Sequence, residues 1–327
     1  MMKIKTTFLY LSIHLFIRNQ QNIKIYFLIL NHFLNKYLLI KIYQNQICFV
    51  LIIFSLLKKM ITSQNQSQRE PTLTEQNILP GRLKPQSALC FDSNRNVLQF
   101  IEGQNVFDPT QKVCIPLLLR QSEQKSDICV LYFHGNGEYI DNYIGFMEDL
   151  SAENQKTNFV VMEYSGYGLY CDQIISSKQI LADSLVAFDY IVSELKFDPN
   201  NIIVLGRSIG SGPASYLASK RKCRLVCLVS PFWSIKDWLK DLEQSDQFED
   251  CFNNLNCVKN FQSPCLLIHG KKDTLIPISH SIKLEEELKS LNKHHKVVYK
   301  DNWTHNLISF DEIFTILLNY SNEILKP

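Results

Sequence analysis

The sequence predicts an α/β protein in which a mostly parallel central sheet carries helices on both faces. Six short runs rich in Val, Ile and Leu follow one another from residue 128 onwards, and helix-length amphipathic stretches separate most of them. Unbroken apolar runs of this length favour strands that are buried on both faces of a parallel sheet. Regular alternation of strand and helix is typical of a doubly wound sheet.

The elements can be placed in order along the chain. The predicted inner strands are Ile128–Phe133, Phe159–Glu163, Ile202–Leu205, Leu225–Val229, Cys265–His269 and Lys296–Tyr299. The predicted opening strands, compatible with an antiparallel pair, are Ala88–Phe91, Leu98–Ile101 and Val113–Leu119. The predicted helices are Tyr139–Glu153, Lys178–Leu195, Ile209–Lys220, Ser279–Leu291 and Asp311–Leu325. In such a sheet, ligand sites form beyond the carboxyl ends of the strands.

Composition divides the 327 residues into three parts. Residues 1–60 carry eight Lys or Arg, no acidic residue, and no Gly, Ala or Pro, which is not the composition of a folded domain. Residues 61–86 are rich in Gln, Ser and Thr and contain prolines, so they predict a flexible linker. Residues 87–327 predict one globular domain, and the apolar share of the whole chain, 46%, suffices for a core.

Two interpretations of residues 1–60 stay open. The apolar run Ile47–Leu57, followed by two lysines, is compatible with a signal-peptide core or a weak membrane anchor, and its basic surroundings would suit an anionic membrane face. It is shorter than the roughly 20 apolar residues of a spanning helix. The other interpretation is a mistranslated leader from AT-rich non-coding DNA, with Met60 as the true start.

Charge and cysteine usage narrow the classes of partner and compartment. Beyond residue 60 the 32 acidic residues outnumber the remaining 26 basic ones, so this part of the chain carries net negative charge. Nothing in it suggests a nucleic-acid partner. The ten cysteines are scattered and form no Cys-x-x-Cys pair, which supports neither a zinc site nor a redox motif. Such cysteines are typical of buried thiols in a reducing compartment, so we expect a protein of the cytoplasm or of the cytoplasmic face of a membrane.

The chemistry is indicated first by the segment Gly206-Arg207-Ser208-Ile209-Gly210. It follows the predicted strand Ile202–Leu205 and opens a predicted helix, which is the context of a nucleophile elbow. The elbow glycines, Gly206 and Gly210, are needed because the turn is too tight for side chains at their positions. The turn itself exposes the Ser208 hydroxyl as a nucleophile. The alternative is a plain strand-to-helix turn.

A serine nucleophile needs a base and an orienting acid, and in this fold they follow in the order Ser, acid, His. Asp273 comes just after the predicted strand Cys265–His269, and His305 lies in the loop after the last predicted strand. Asp301 is the nearest rival acid, but it precedes that final loop. Taken singly, Asp273 is compatible with a turn residue. His305 is compatible with a loop histidine.

The oxyanion of an acyl-transfer intermediate needs hydrogen-bond donors. The N–H of Ile209, next to the nucleophile, is the first candidate. The second donor is expected from the loop after the first inner strand, with Asn136 N–H as first choice and Gly135 N–H as second. His134 is expected to pack beneath this loop rather than carry a proton. No metal or organic cofactor is required, because all these groups belong to the protein.

Together these motifs resemble a known subset of proteins. The motifs are HGNG at 134–137, EYSGYG at 163–168, NIIVLGRSIGSGPA at 201–214, SPF at 230–232, LLIHGKKDTLIP at 266–277 and THN at 304–306. The chain is similar to the α/β-hydrolase-domain proteins related to the protein depalmitoylases. This resemblance implies the α/β-hydrolase fold and a cytosolic or membrane-associated serine hydrolase, often one that cleaves S-acyl thioesters from cysteine.

The chain departs from the pattern of that subset at several positions. Its first cysteine is Cys48, inside an apolar run, whereas the depalmitoylases carry an acylated cysteine cluster at the N-terminus. Gly137 replaces the usual alanine, Glu163 the usual aspartate, and Thr304 a residue that is often glycine. None of these departures removes a candidate catalytic group.

Three hypotheses of function follow. The first is an ester or thioester hydrolase acting through an acyl-serine, with S-palmitoyl proteins as the specific substrate. The short lid predicted at residues 234–263 would leave an open cleft for a protein-attached acyl group. The second is a carboxylesterase or lipase-like enzyme for small acyl esters. The third is an inactive hydrolase fold that serves as a binding protein.

Overall fold

In the computed structural model, the described part of the chain comprises residues 96–144, 156–170, 173, 175–241 and 250–324. The predicted segments 1–60 and 61–86, the predicted strand Ala88–Phe91 and most of the predicted helix Tyr139–Glu153 lie outside it. Within these ranges, no helix combines the length and the apolar character needed to cross a membrane.

An eight-stranded sheet forms the centre of the domain. Its strands are β1 Asn96–Gln104, β2 Lys112–Arg120, β3 Cys129–Phe133, β4 Asn158–Met162, β5 Ile202–Arg207, β6 Leu225–Val229, β7 Cys265–Gly270 and β8 His295–Lys300. The spatial order is β1-β2-β4-β3-β5-β6-β7-β8. The pairs from β4 to β8 are parallel, whereas β1 pairs with β2 and β2 with β4 in antiparallel fashion. This architecture confirms the predicted α/β-hydrolase fold.

Strand burial follows the apolar runs in the sequence. Every residue of β3, β5, β6 and β7 is buried, as expected for inner strands covered on both faces. The antiparallel pairing of β1 with β2 agrees with the expectation for the opening strands. β8 differs, since its residues are only half-buried. It is the last strand of the sheet, so one of its edges has no neighbouring strand among the described residues.

Helices cover the sheet on both faces. They are α1 Ser177–Ser193, α2 Ser211–Lys220, α3 Ile235–Asp241, α4 Asn254–Val258, α5 Ser279–Ser290 and α6 Phe310–Glu323. Side chains of α1, α2, α4 and α5 share one core cluster with Leu131 and Val204, whereas those of α6 share the other with Val130 and Ile203. Neighbouring residues of β3 and β5 therefore point to opposite cores, as the pleat of a strand requires.

The predicted lid segment, residues 234–263, contributes the two short helices α3 and α4. Phe252 and Phe261 are buried in the larger core cluster, and the ring of Phe252 lies close against Gly212 of α2. Trp238 is only partly buried, and its indole N–H donates to the carbonyl oxygen of Leu275 at 2.7 Å. These contacts attach the segment to the body beside the loop that follows β7.

Leu267→Ala should destabilise the fold far more than Leu307→Ala. Leu267 is fully buried in β7, and truncating a buried leucine costs about 2–5 kcal/mol, because it removes apolar burial and leaves a cavity. Leu307 is 75% exposed, so the same substitution should change the free energy of unfolding by less than about 0.5 kcal/mol. Urea unfolding of both variants measures the difference. Equal losses would contradict this account of the core.

Candidate active site

The nucleophile candidate stands at a strained turn. β5 leads directly into Ser208, whose φ of +53° lies in the left-handed region that L-residues rarely adopt. A Cβ on Gly206 would overlap the carbonyl oxygen of Gly210, and a Cβ on Gly210 would overlap the carbonyl oxygen of Phe133. Both elbow glycines are therefore required by the closeness of neighbouring backbone.

Ser208, His305 and Asp273 form one continuous line of hydrogen bonds. The Oγ of Ser208 lies 2.9 Å from Nε2 of His305, and Nδ1 of His305 lies 2.8 Å from Oδ2 of Asp273. All three residues are buried. An ionised carboxylate only accepts, so Nδ1 carries the proton and Nε2 is left to accept the Ser208 hydroxyl. The structure thus brings together the three residues that the chain order predicted.

The Asp273 carboxylate is held by several donors. Its Oδ1 accepts the N–H groups of Leu275 at 3.0 Å and Ile276 at 2.9 Å. Burial acts to raise the pKa of Asp273, but hydrogen bonds to His269 and His305, the interaction with His305 and the Ile276 N–H outweigh it. The pKa of this carboxyl therefore lies well below its usual range. Asp273 is an anion whenever the protein is folded near neutral pH.

His269 has a supporting place that the sequence reasoning missed. Its place inside the predicted strand Cys265–His269 favours a packed core histidine, and it is fully buried in β7. Its Nε2 lies 2.9 Å from the carbonyl oxygen of Ile276 and 3.4 Å from Oδ2 of Asp273, while Nδ1 contacts Ser281 Oγ at 2.7 Å. A carbonyl can only accept, so Nε2 carries a proton that faces the carboxylate. Its position four residues before Asp273 was the available signal.

The rival acid lies away from the histidine. The Asp301 side chain is 77% exposed and pairs with Lys271 on the surface at 2.6 Å. Its carboxylate is therefore a solvated ion-pair partner, and Asp273 holds the position next to His305.

The loop after β3 lies against the elbow, as expected for an oxyanion loop. Gly210 approaches the carbonyl oxygens of Phe133 and His134 so closely that no Cβ would fit. Asn136 follows within this loop, and its side-chain oxygen accepts the hydroxyl of Tyr167 at 2.7 Å. Ile209 lies in the 3₁₀ turn after Ser208, where its N–H follows the nucleophile.

The second-choice donor, the N–H of Gly135, already has an acceptor in the structure. The N–H of Gly135 donates to Oε2 of Glu138 at 2.6 Å, so it already has a strong charged acceptor. Asn136 and Ile209 remain as the two backbone candidates. The sequence alone does not indicate this hydrogen bond, because a carboxylate just after a glycine-rich loop has many solvated alternatives.

A buried pair supports the loop from below. His134 is fully buried and stacks on Tyr164 with ring centroids 4.0 Å apart. Its Nε2 lies 3.1 Å from Oε1 of Glu163, and Oε2 of Glu163 accepts the N–H of Ile140 at 3.3 Å. His134 therefore packs beneath the loop as expected. The glutamate that replaces the usual aspartate still reaches it.

Arg207 is a second residue that sequence reasoning left without a role. It stands between Gly206 and Ser208, and it is buried. Its guanidinium donates to Glu138 at 2.5 Å and to the carbonyl oxygen of His305 at 3.0 Å. It thereby links the loop after β3 with the loop that carries the histidine.

The part of the chain described here contains no group of three or more His, Cys, Asp or Glu arranged to hold a metal ion.

Comparisons with known proteins agree with this fold. A model of the prolyl oligopeptidase family matches residues 176–314, a range that includes Ser208, Asp273 and His305. The alpha/beta hydrolase domain-containing protein 17C of Homo sapiens is 34% identical over 112 residues, covering 34% of this chain and 34% of that protein. The chain thus spans about a third of the length of the curated relatives it matches.

Solved structures with the same fold include hydrolases of two kinds. An esterase of Pyrococcus furiosus superposes with a TM-score of 0.53 at 17% identity, over 70% of this chain and 90% of that one. An acylaminoacyl peptidase of Pyrococcus horikoshii superposes with a TM-score of 0.53 at 13% identity, over 70% of this chain and 42% of that one. Identities this low establish a shared fold only.

Asp273→Asn should make the folded protein less sensitive to acid. Because folding lowers the pKa of Asp273, its carboxylate stabilises the folded chain above about pH 3.9, its usual unfolded pKa. This stabilisation is lost as the pH falls through the folded-state pKa. We therefore expect the free energy of unfolding to fall more steeply below about pH 4 in wild type than in the variant. Urea unfolding between pH 2.5 and 7 measures both slopes.

Asp183→Asn provides a comparison of opposite sign. Burial raises the pKa of Asp183 to about 7. Its protonated form stabilises the fold at low pH, and that contribution is lost as the pH rises through the folded-state pKa. Asp183→Asn should therefore abolish the part of the fall in the free energy of unfolding between pH 4 and 7 that Asp183 causes. The steep fall below about pH 4 should remain. Indistinguishable acid limbs for wild type and Asp273→Asn would contradict the role given to Asp273.

Proposed function

We propose that this protein, an α/β hydrolase, cleaves acyl esters or thioesters with Ser208 as nucleophile, His305 as general base and Asp273 as the orienting acid. The observation that carries the proposal is the continuous hydrogen-bonded line from Ser208 Oγ through the His305 ring to the Asp273 carboxylate. A base within hydrogen-bond reach of a serine hydroxyl, itself oriented by a buried carboxylate, is the arrangement that activates such a nucleophile.

The reaction proceeds in two halves. Ser208 Oγ attacks the acyl carbon while its proton passes to Nε2 of His305, and the carbonyl oxygen becomes an oxyanion. The backbone N–H groups of Asn136 and Ile209 are the proposed donors to this oxyanion. As the tetrahedral intermediate collapses, His305 returns the proton to the leaving alcohol or thiol, and the acyl group remains on Ser208. Water, deprotonated by His305, then releases the acid and restores the serine.

Throughout this cycle Asp273 stays ionised. Its low pKa prevents it from taking the proton of His305, so it stabilises the imidazolium that forms at each attack. The Leu275 and Ile276 N–H groups hold Oδ1 of the carboxylate, and His269 lies against Oδ2, the oxygen that faces the His305 imidazole. The imidazole is thus held in the tautomer that accepts from Ser208.

The specific substrate that we propose is an S-palmitoyl group on a protein cysteine. Two large apolar side chains stand exposed in the loops that carry the acid and the histidine: Leu275 at 44% exposure, two residues after Asp273, and Leu307 at 75%, two residues after His305. Exposed apolar surface on the loops of such a site suits a long acyl chain. The resemblance of the sequence motifs to those of depalmitoylases supports the same substrate. An acylated protein would place this chain at the cytoplasmic face of a membrane.

Ser208→Ala should abolish labelling by a fluorophosphonate probe. The probe forms its covalent bond with an activated serine only, and loss of the nucleophile in such a triad lowers kcat by about 10⁴-fold or more. Ser219→Ala is the matched control, because Ser219 lies on α2 and its hydroxyl donates to the carbonyl oxygen of Tyr216. In-gel fluorescence should show wild type and Ser219→Ala labelled equally. Labelling that survives Ser208→Ala, or is absent from wild type, would refute the triad.

Hydrolysis of an S-palmitoyl peptide should distinguish the proposed substrate from small esters. We expect kcat/KM for the palmitoyl peptide to exceed that for the matching S-acetyl peptide by at least about tenfold, since a buried methylene contributes roughly 0.8 kcal/mol. Leu307→Ala should narrow this ratio without changing turnover of the acetyl peptide. Chromatography of released peptide thiol measures both rates. Cleavage of the acetyl peptide alone would indicate a small-molecule carboxylesterase.

A further inference from the structure

We infer that Arg207 and Glu138 form a partly buried brace that holds the oxyanion loop, residues 134–138, and the histidine loop, residues 301–309, in register with Ser208. The inference rests on the proposed function, because it assigns positioning residues for that reaction. Neither side chain belongs to the line Ser208, His305 and Asp273. Each touches a loop that supplies a reacting group.

The Arg207 guanidinium spans the two loops in one rigid plane. Its Nη1 donates to Oε1 of Glu138 at 2.5 Å. Its Nη2 donates to the backbone carbonyl oxygen of His305 at 3.0 Å and to Oδ1 of Asn306 at 3.3 Å. The donors of a guanidinium have fixed relative directions, so these bonds set the distance between the loops. Because Arg207 precedes Ser208 directly, the brace is anchored at the nucleophile.

The Glu138 carboxylate continues the brace into the oxyanion loop. While Oε1 accepts from Arg207, Oε2 accepts the N–H of Gly135 at 2.6 Å and the hydroxyl of Tyr143. The peptide of Gly135 immediately precedes Asn136, whose N–H is a proposed oxyanion donor. The carboxylate therefore fixes the backbone orientation from which that donor emerges.

Packing shows that the loop is fitted to the brace. A Cβ on Gly135 would lie 2.7 Å from Nη1 of Arg207 and 2.8 Å from Oε2 of Glu138. Contacts this short leave room for glycine alone unless the charged groups shift. The loop backbone thus rests directly on the ion pair, and a displacement of either group would be transmitted to the loop.

Stability alone does not explain a pair of which one member is buried and the other largely so. The Arg207 side chain is 8% exposed and that of Glu138 28%, and the Nε of Arg207 is buried with no hydrogen-bond partner in the described ranges. Burial acts to lower the pKa of Arg207, but the charge of Glu138, the interactions with Tyr132 and Tyr143 and the hydrogen bond to Glu138 together outweigh it and raise the pKa, so the guanidinium stays charged. An apolar pair of similar volume is often equally stabilising or better. What the charged pair adds is fixed geometry.

The brace should act on the transition state rather than on substrate binding. The oxyanion donors and the His305 base contribute most when charge develops on the substrate oxygen and on the imidazole. A displacement of about 1 Å in such groups lowers the rate by roughly 100-fold. Loosening either loop should therefore lower kcat while leaving KM nearly unchanged.

The exposed pair between Arg221 and Asp189 offers a matched control. Arg221 donates through Nε and Nη2 to the two oxygens of Asp189, each at 2.8 Å. This pair joins the end of α2 to α1, and its side chains are 38% and 52% exposed. It has the same chemistry as the brace but touches neither loop.

The test compares Glu138→Gln with Asp189→Asn in the full chain. The substrate is p-nitrophenyl acetate, the transition-state analogue is a methyl trifluoromethyl ketone that forms an oxyanion on Ser208, and thermal unfolding is followed in parallel. We expect Glu138→Gln to lower kcat by about 10- to 100-fold with KM within about threefold. The affinity for the ketone should fall by the same factor as kcat/KM. Asp189→Asn should stay within about twofold of wild type in kcat, in KM and in the affinity for the ketone.

A second comparison uses the other end of the brace. Arg207→Met should lower kcat as Glu138→Gln does, and the double variant should lose no more than about threefold beyond either single one, because both remove one unit. Arg207→Lys should recover little, since a single ammonium cannot reach both loops in fixed directions.

The outcomes separate this inference from the proposed function. A wild type that neither hydrolyses the ester nor binds the ketone would refute the proposed function. An active wild type with kcat unchanged in Glu138→Gln, or with a loss confined to KM, would overturn the brace alone. Additive losses in the double variant would do the same. If Glu138→Gln does not fold, Tyr143→Phe and Arg207→Lys test the same prediction, and unchanged kcat in both would overturn it.

Discussion

The candidate site depends on one close contact, that of the elbow with the end of β3. Gly210 lies so near the carbonyl oxygens of Phe133 and His134 that a Cβ on residue 210 would force the elbow away from the end of β3. This approach is possible because β3 and β5 are parallel neighbours, with Phe133 paired to Gly206. The strained Ser208 and the oxyanion loop are consequently presented at the same edge of the sheet. The parallel strands β6, β7 and β8 extend that edge to the loops that carry Asp273 and His305.

Around this edge the protein buries charged groups and gives each a partner. Asp273 is held by two backbone N–H groups and two histidines, and Glu163 by His134 and the N–H of Ile140. An unpaired buried charge strongly destabilises a protein. A charge with hydrogen-bond partners is held in a fixed orientation, because hydrogen bonds are stronger in the low-dielectric interior than in water. The reacting groups are thereby aligned before any substrate arrives. This alignment is the physical basis on which a serine hydroxyl can become a nucleophile.

Much of the fold and of the reacting line could be predicted because it is recorded locally. The inner strands are unbroken apolar runs, and their predicted bounds lie within two residues of the observed ones. The elbow is recognisable from Gly206 and Gly210 in their strand-to-helix context. The contributions of Arg207, Glu138 and His269 could not be predicted, since a charged residue before a serine or after a glycine-rich loop has many solvated alternatives. The sequence also offers the Gly135 N–H as an oxyanion donor. Only the structure shows that this N–H donates to Glu138, three residues further along the loop.

The sequence by itself determined the alternation of strand and helix, the identity of the nucleophile turn, and the chain order of Ser208, Asp273 and His305. These features depend on side-chain size, apolar pattern and backbone freedom, which each residue carries wherever it is placed. Only the tertiary structure decided that His305 lies between Ser208 and Asp273, that Asp301 pairs with Lys271, and that Arg207 joins two loops 69 and 98 residues away from it. Such contacts require the sheet to assemble first, because strand order brings distant loops to one edge.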